Sequence, residues 1–185
     1  MTKFVIADLH FNDQNIISYA NRPFKSVEEM NETLVENWNN AVKSMDDIVF
    51  VLGDLFSFRD ISDYPDDFRN IIGSLFGKIY LIKGNHEIKS NGFYQSKFYG
   101  YSEYPIIIEN FFMLSHEPLL LSETTPYFNL YGHVHNDNRY VDTKTSMCVS
   151  AERIGYTPIS LDEIRACWTE KYLYRKENKS ARTQK

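Results

Sequence analysis

All five histidines of the chain follow short apolar runs, in the company of Asp, Asn and Glu. Phe4–Ala7 leads to Asp8 and His10, and Ile48–Leu52 leads to Gly53 and Asp54. Ile79–Ile82 is followed by Gly84, Asn85, His86 and Glu87, and Phe111–Leu114 by Ser115, His116 and Glu117. Tyr127–Tyr131 ends in Gly132, His133 and His135. Imidazole nitrogen mixed with carboxylate and amide oxygen suits manganese, iron, zinc or nickel better than calcium. Cys148 and Cys167 stand apart from the set, which excludes a thiolate site. Taken singly, most of these motifs are ordinary. Asp8 can cap a turn, Gly53-Asp54 is common turn chemistry, and Asn85 can occupy a tight left-handed turn. Their joint occurrence, each at the end of an apolar run, points to metal chemistry.

Such runs read as buried strands, with Ile106–Ile108 as a further one. In a strand, residues i and i+2 share a face, so a strand continuing past Tyr131 turns His133 and His135 to the same side. Between the first two runs, Val27, Met30, Leu34, Trp38, Ala41 and Met45 step by three or four residues. This spacing predicts an amphipathic helix, with Ser26 and Glu29 as its capping box. A second helix is predicted over Asp66–Phe76, with Phe68, Ile71, Ile72 and Leu75 inward and Gly77 as its stop. Ser160 to Glu163 is the start signal of a third, leading into Ile164 and Trp168. Strand and helix alternate at first, and strands dominate later. That order predicts an α/β fold with a parallel start and a more antiparallel second half. In open α/β sheets ligands bind beyond the carboxyl ends of the strands, where the metal-capable residues gather.

At 185 residues the chain suits one domain, expected over residues 1–170, with residues 171–185 as a polar, frayed tail. The formal charge of −5 argues against an extensive nucleic-acid surface. No apolar stretch reaches membrane-spanning length, and the expected setting is cytoplasmic. Oligomeric state is not legible.

The series Asp8-x-His10, Gly53-Asp54, Gly84-Asn85-His86-Glu87, His116 and Gly132-His133-x-His135 resembles the calcineurin-like metallophosphoesterase superfamily. The likeness runs from Phe4 to about Glu163. It is strongest to small, single-domain bacterial and phage phosphoesterases, which carry segments similar to Asn15-Ile16-Ile17-x-Tyr19 and Arg22-Pro23-Phe24. The resemblance implies a four-layer α/β/β/α sandwich with two mixed sheets. It also implies two divalent ions, manganese favoured, with Asp8, His10 and His135 on one and Asn85, His116 and His133 on the other. Asp54 would bridge them, as two cations about 3.5–4 Å apart need an anion between them. Counting Asp8, Asp54 and a bridging hydroxide leaves about +1 at the centre, enough to draw in a phosphate ester despite the acidic chain.

The implied reaction is in-line attack of that hydroxide on a phosphate ester, with a phosphodiester favoured and His86 protonating the leaving oxygen. The substrate is expected to be small, nucleotide-derived compounds included. Arg22, Arg59 and Asn12 are the candidate substrate contacts, since a guanidinium can grip two phosphate oxygens. Two departures from the wider pattern stand out. Many relatives have an acid three residues after the Gly-Asp aspartate, where this chain has Ser57, so the partner that orients His86 is open. Close relatives tend to carry Gly-His where this chain has Asn12-Asp13. A phosphomonoesterase, a single-metal hydrolase and a silent binding module of the same fold are the rival readings.

Overall fold

The computed structural model describes residues 1–57 and 66–174. Arg59 and the stretch 175–185 of the expected tail lie outside the described residues. The first half runs β1 (Lys3–Ile6), α1 (Gln14–Tyr19), α2 (Val27–Ala41), β2 (Ile48–Leu52), α3 (Asp66–Ser74), β3 (Lys78–Ile82) and α4 (Asn91–Lys97). It continues with β4 (Gly100–Ser102), β5 (Ile106–Ile108), β6 (Phe112–Leu114), β7 (Phe128–Tyr131), β8 (Ser146–Cys148), β9 (Ile159–Ser160) and α5 (Leu161–Trp168). One sheet has the order β4-β3-β2-β1-β9 and is parallel except for β9. The other, β5-β6-β7-β8, is parallel except for β5. Two mixed sheets thus form the middle of an α/β/β/α sandwich.

Strand alternation divides the core into two layers. Phe4, Ile6, Val49, Val51, Ile79 and Leu81 meet the helices α1 to α4 on one side of the first sheet. Val5, Phe50, Leu52 and Ile82 meet Phe112, Leu114, Phe128 and Leu130 of the second sheet on the other. α5 drives Leu161 and Ile164 into that inter-sheet layer and lays Trp168 edge-on against Phe111 and Phe128. Its start is a full capping box, with the Ser160 Oγ and Glu163 carboxylate exchanging bonds with each other's backbone N–H.

The expected helices form, with adjusted ends. α2 buries Met30, Leu34 and Trp38 completely, but it stops at Ala41 and leaves Met45 exposed. Its Ser26 cap is half of the expected box, because the Glu29 carboxylate takes the Lys25 N–H instead. α3 ends at Ser74, short of Phe76. Side chains of α2 satisfy its loose backbone groups: Asn39 bonds Ser74 O and Phe76 N–H, and Trp38 Nε1 donates to Phe76 O. The short elements α1, α4, β4, β8 and β9 carry too little periodicity to be read beforehand.

The topology points the carboxyl ends of β1, β2 and β3 to one edge, and those of β6 and β7 to the same place. An isolated parallel bridge between Ala7 and Ser150 ties the two sheets together there. Among the described residues, no helix is long and apolar enough to cross a membrane.

Candidate metal centre

β1, β2 and β7 give way to the loops that hold their donors by turning left-handed. Asp8, His10, Asp54, His133 and His135 all have positive φ, between 48° and 69°. A non-glycine residue there costs of order 1–3 kcal/mol and persists only where its surroundings over-determine it. Bonds between loops do so here: Asp8 N–H to Gly53 O at 3.1 Å, His10 N–H to Asp54 O at 2.9 Å, and Gly132 N–H to His116 O at 2.8 Å. Gly53 itself sits at φ 83°, and a Cβ on it would strike the His116 ring. A Cβ on Gly132 would lie 2.5 Å from Asp8 Oδ2. Both glycines are required by close approach to donors.

The same turns alter the expected role of the His133–His135 spacing. β7 ends at Tyr131, so the two rings do not share a strand face. His133 Nδ1 lies 3.0 Å from Asn85 Oδ1 and 3.1 Å from His116 Nε2. His135 turns the other way, its ring 5.2 Å from that of His10. Donor atoms of Asp8, His10 and His135 lie within 4.8 Å of one another.

Asp54 stands between the groups. Its Oδ2 is 3.5 Å from His10 Nε2 and 3.5 Å from His116 Nε2, while Oδ1 accepts the His86 N–H at 2.9 Å. All seven residues expected as ligands are therefore brought together at one edge.

The chemistry of these atoms fits cations. His116 Nδ1 is 2.8 Å from Leu52 O and must donate to it, which leaves Nε2 a bare lone pair. That lone pair faces Asn85 Oδ1 at 2.9 Å, another acceptor. With both rings neutral and the Asn85 oxygen facing them, His133 brings at most one proton to the trio, a donor-poor set that a cation suits. His10 Nε2 is buried without a hydrogen-bond partner among the described residues. Burial pushes the Asp8 carboxyl above its usual range, as expected for a deeply enclosed acid lacking a full countercharge.

Supporting groups appear whose roles the sequence left open, as for Glu87, or did not mark, as for Glu152. Glu87 is buried and accepts the backbone N–H of Gly84, Asp54 and Leu55, pinning the β2 and β3 loops to each other. Glu152, missed entirely, puts Oε1 3.1 Å from His135 Nδ1. Burial opposes charging of His135, but the Glu152 bond and the Asp8 charge outweigh it and raise its pKa. With Nδ1 held, Nε2 is the nitrogen free to bind metal.

Arg22, expected as a phosphate contact, is instead sealed behind the site. Its side chain is 0% exposed and pairs with Glu152 at 2.7 Å. It also donates to the carbonyls of Asp8 at 2.6 Å and Leu9 at 2.9 Å. The guanidinium spends its N–H donors on these three protein acceptors, the donors that a substrate phosphate would otherwise need. Arg22→Ala takes the guanidinium from buried Glu152 and leaves it only the His135 contact, and unfolding in urea should show a loss of about 3–5 kcal/mol. Arg22→Lys should recover only a minority of it, because an ammonium lacks the planar fork. Wild-type stability of Arg22→Ala would refute the positioning role.

Asn12, the other described substrate candidate, is tied to α2: its Oδ1 accepts from Asn31 Nδ2 at 2.6 Å. The residues that do reach outward are His86, half-buried, and Asn15 and Tyr19 of α1. They line a cleft of about 320 Å³ over the donors. Tyr19 is 81% exposed, with its ring 6.0 Å from that of His135. Ser57 Oγ, at the position where an acid was expected, lies 3.2 Å from His86 Nδ1.

The fold and its converging donors define an α/β sandwich with a group of side chains at one edge that could hold metal ions. The family model for the calcineurin-like phosphoesterases matches residues 1–169, and the chain belongs to that family. It is 39% identical over 169 residues to the uncharacterized protein MJ1445 of Methanocaldococcus jannaschii, covering 87% of this chain and 88% of that one. Among solved structures, it resembles the protein of unknown function AQ665 from Aquifex aeolicus, with TM-score 0.70 and 23% identity. That match covers 90% of this chain and 98% of the other. It also resembles the nuclease MPE of Pseudomonas putida, with TM-score 0.50 and 22% identity over 72% of this chain and 61% of the nuclease. At such identities the structural matches speak for the fold alone.

Proposed function

We propose that the protein hydrolyses small phosphodiesters at a two-metal centre. Asp8, His10 and His135 would hold one divalent ion, Asn85, His116 and His133 the other, with Asp54 Oδ2 between. The observation that carries this reading is the position of Asp54 Oδ2, equidistant at 3.5 Å from a histidine of each group. Bound ions would supply Lewis-acid charge to the phosphoryl oxygens and lower the pKa of a water towards about 7. Manganese suits the mixed oxygen and imidazole donors.

The chain's own residues do the remaining work. Hydrolysis adds the elements of water across one P–O bond, and the departing oxygen takes a proton from His86 at the cleft wall. Asp54 Oδ1, by holding the His86 N–H, anchors that loop at the reacting edge. Glu87 clamps the same loop from below.

Two features favour a diester. Among the described residues lining the cleft there is no Lys or Arg to balance the second charge of a monoester. The exposed Tyr19 ring offers a stacking face for an aryl or nucleoside group of the second ester arm. The cleft volume is at the small end of ligand sites, which suits a small ester.

Chelator-stripped protein should be inactive and regain hydrolysis with Mn²⁺ as two ions bind per chain. Bis(4-nitrophenyl) phosphate should then be cleaved faster than 4-nitrophenyl phosphate. A reversed preference would make it a monoesterase, and no turnover of either ester at full metal occupancy would dismiss the hydrolytic reading.

A further inference from the structure

We propose that Ser57 is a positioning residue whose single hydroxyl sets the tautomers of two histidines, His10 and His86, with Asp13 fixing the direction of its own proton. A serine hydroxyl has one hydrogen to donate and two lone pairs to accept with. Ser57 Oγ has three polar neighbours at bonding distance: Asp13 Oδ2 at 2.8 Å, His10 Nδ1 at 3.0 Å and His86 Nδ1 at 3.2 Å. The capacity and the number of contacts match, and only one assignment fills all three. A carboxylate can only accept, so the hydroxyl proton goes to Asp13. Both imidazoles must then donate from Nδ1 into the two lone pairs.

Asp13 is well placed to be that acceptor. It is the N-cap of α1, where its other oxygen takes the Asn15 N–H at 2.9 Å. The helix end therefore fixes the carboxylate, the carboxylate fixes the hydroxyl, and the hydroxyl fixes two rings. The rings lie edge to face, with centroids 4.7 Å apart, so neither turns without displacing the other.

Two consequences follow for the far nitrogens. His10 Nε2 carries no proton and faces Asp54 at 3.5 Å, which explains why it is buried without a hydrogen-bond partner among the described residues. His86 keeps Nδ1–H in both charge states, so Nε2 is the atom that gains and loses a proton. One hydroxyl thus readies one ring to bind metal and the other to serve the leaving oxygen. An alanine at position 57 would leave His86 free to take either tautomer, whereas His10 Nδ1 would still have Asp13 Oδ2 at 3.5 Å.

The tautomers are readable without turnover. Long-range ¹H–¹⁵N correlation spectra of histidine-labelled, zinc-loaded protein should show His10 and His86 protonated at Nδ1 in the wild type and in Ser57→Thr. In Ser57→Ala, His86 should move to the Nε2–H form or a mixture. His86 found at Nε2–H in the wild type, or unchanged in Ser57→Ala, would overturn the proposal. Should Ser57→Ala not fold, the wild-type and Ser57→Thr spectra decide it.

A kinetic arm rests on the hydrolytic reading. At saturating metal, Ser57→Ala should hold two ions and keep its KM while kcat falls about 10–100-fold, the usual effect of losing a ligand's supporting bond. The loss should grow as the leaving group becomes more basic, and Ser57→Thr should restore kcat. An equal loss for all leaving groups contradicts a role through His86. If the wild type cleaves no ester, the functional reading fails while the spectra still judge Ser57.

Discussion

Asp54→Asn should lose at least about a thousandfold in kcat/KM and bind fewer than two metal ions per chain. The substitution keeps size and shape but replaces a carboxylate oxygen by an NH₂ group. Oδ2 sits 3.5 Å from His10 Nε2 and from His116 Nε2, whose lone pairs converge on the same space. An amide nitrogen there offers hydrogens where cations need electron pairs, and it removes the negative charge that offsets their repulsion. Phosphoryl charge stabilisation by metals is worth several kcal/mol, and about 4 kcal/mol corresponds to three orders of magnitude. The fold should survive, because the backbone of Asp54 is held independently: its N–H by Glu87 and its carbonyl by the His10 N–H. Metal analysis and kinetics on the folded variant are the measurements. Two ions per chain with near-normal turnover would show that the bridge lies elsewhere.

His86→Ala should separate chemistry from metal binding. His86 bonds Asp54 Oδ1 through its backbone N–H, a bond that does not depend on the side chain, while its ring packs edge-on against His10. Metal content should stay at the wild-type level. Turnover should fall about 10²–10⁴-fold, the range for losing a positioned proton donor. The ring is half-buried, and that burial pulls its pKa below the usual histidine value. A proton held less tightly is transferred more readily to a basic alkoxide. The deficit should therefore be small for a 4-nitrophenyl leaving group, which needs no proton, and large for an alkyl one. Full activity on an alkyl diester with both metals bound would remove His86 from the reaction.

The helix α2 shows how far local pattern reaches. Its stripe from Val27 to Ala41 and its Ser26 cap are written in adjacent residues, and the helix forms where they say. Met45 continues the spacing yet lies outside, because the chain leaves the helix at Val42 to enter β2. The seven candidate ligands were legible for a related reason. Each is named by its own type and by the apolar run before it. The supporting groups were not, since nothing near Arg22 marks Glu152, 130 positions away, as its partner. Ser57 read as a missing acid until Asp13, 44 positions distant, came to lie beside its hydroxyl.

By itself, then, the sequence determined which side chains can bind metal, which stretches become strands and helices, and which family the chain resembles. Residue type and periodicity are local properties that no later folding step changes. Tertiary structure alone decided that left-handed turns rather than a shared strand face carry His133 and His135 to their donor groups, and why Arg22 faces inward. It also decided which atoms hold the histidine tautomers. Those outcomes depend on left-handed loop turns and on hydrogen bonds that close only when distant segments meet, and no spacing along the chain encodes such a meeting.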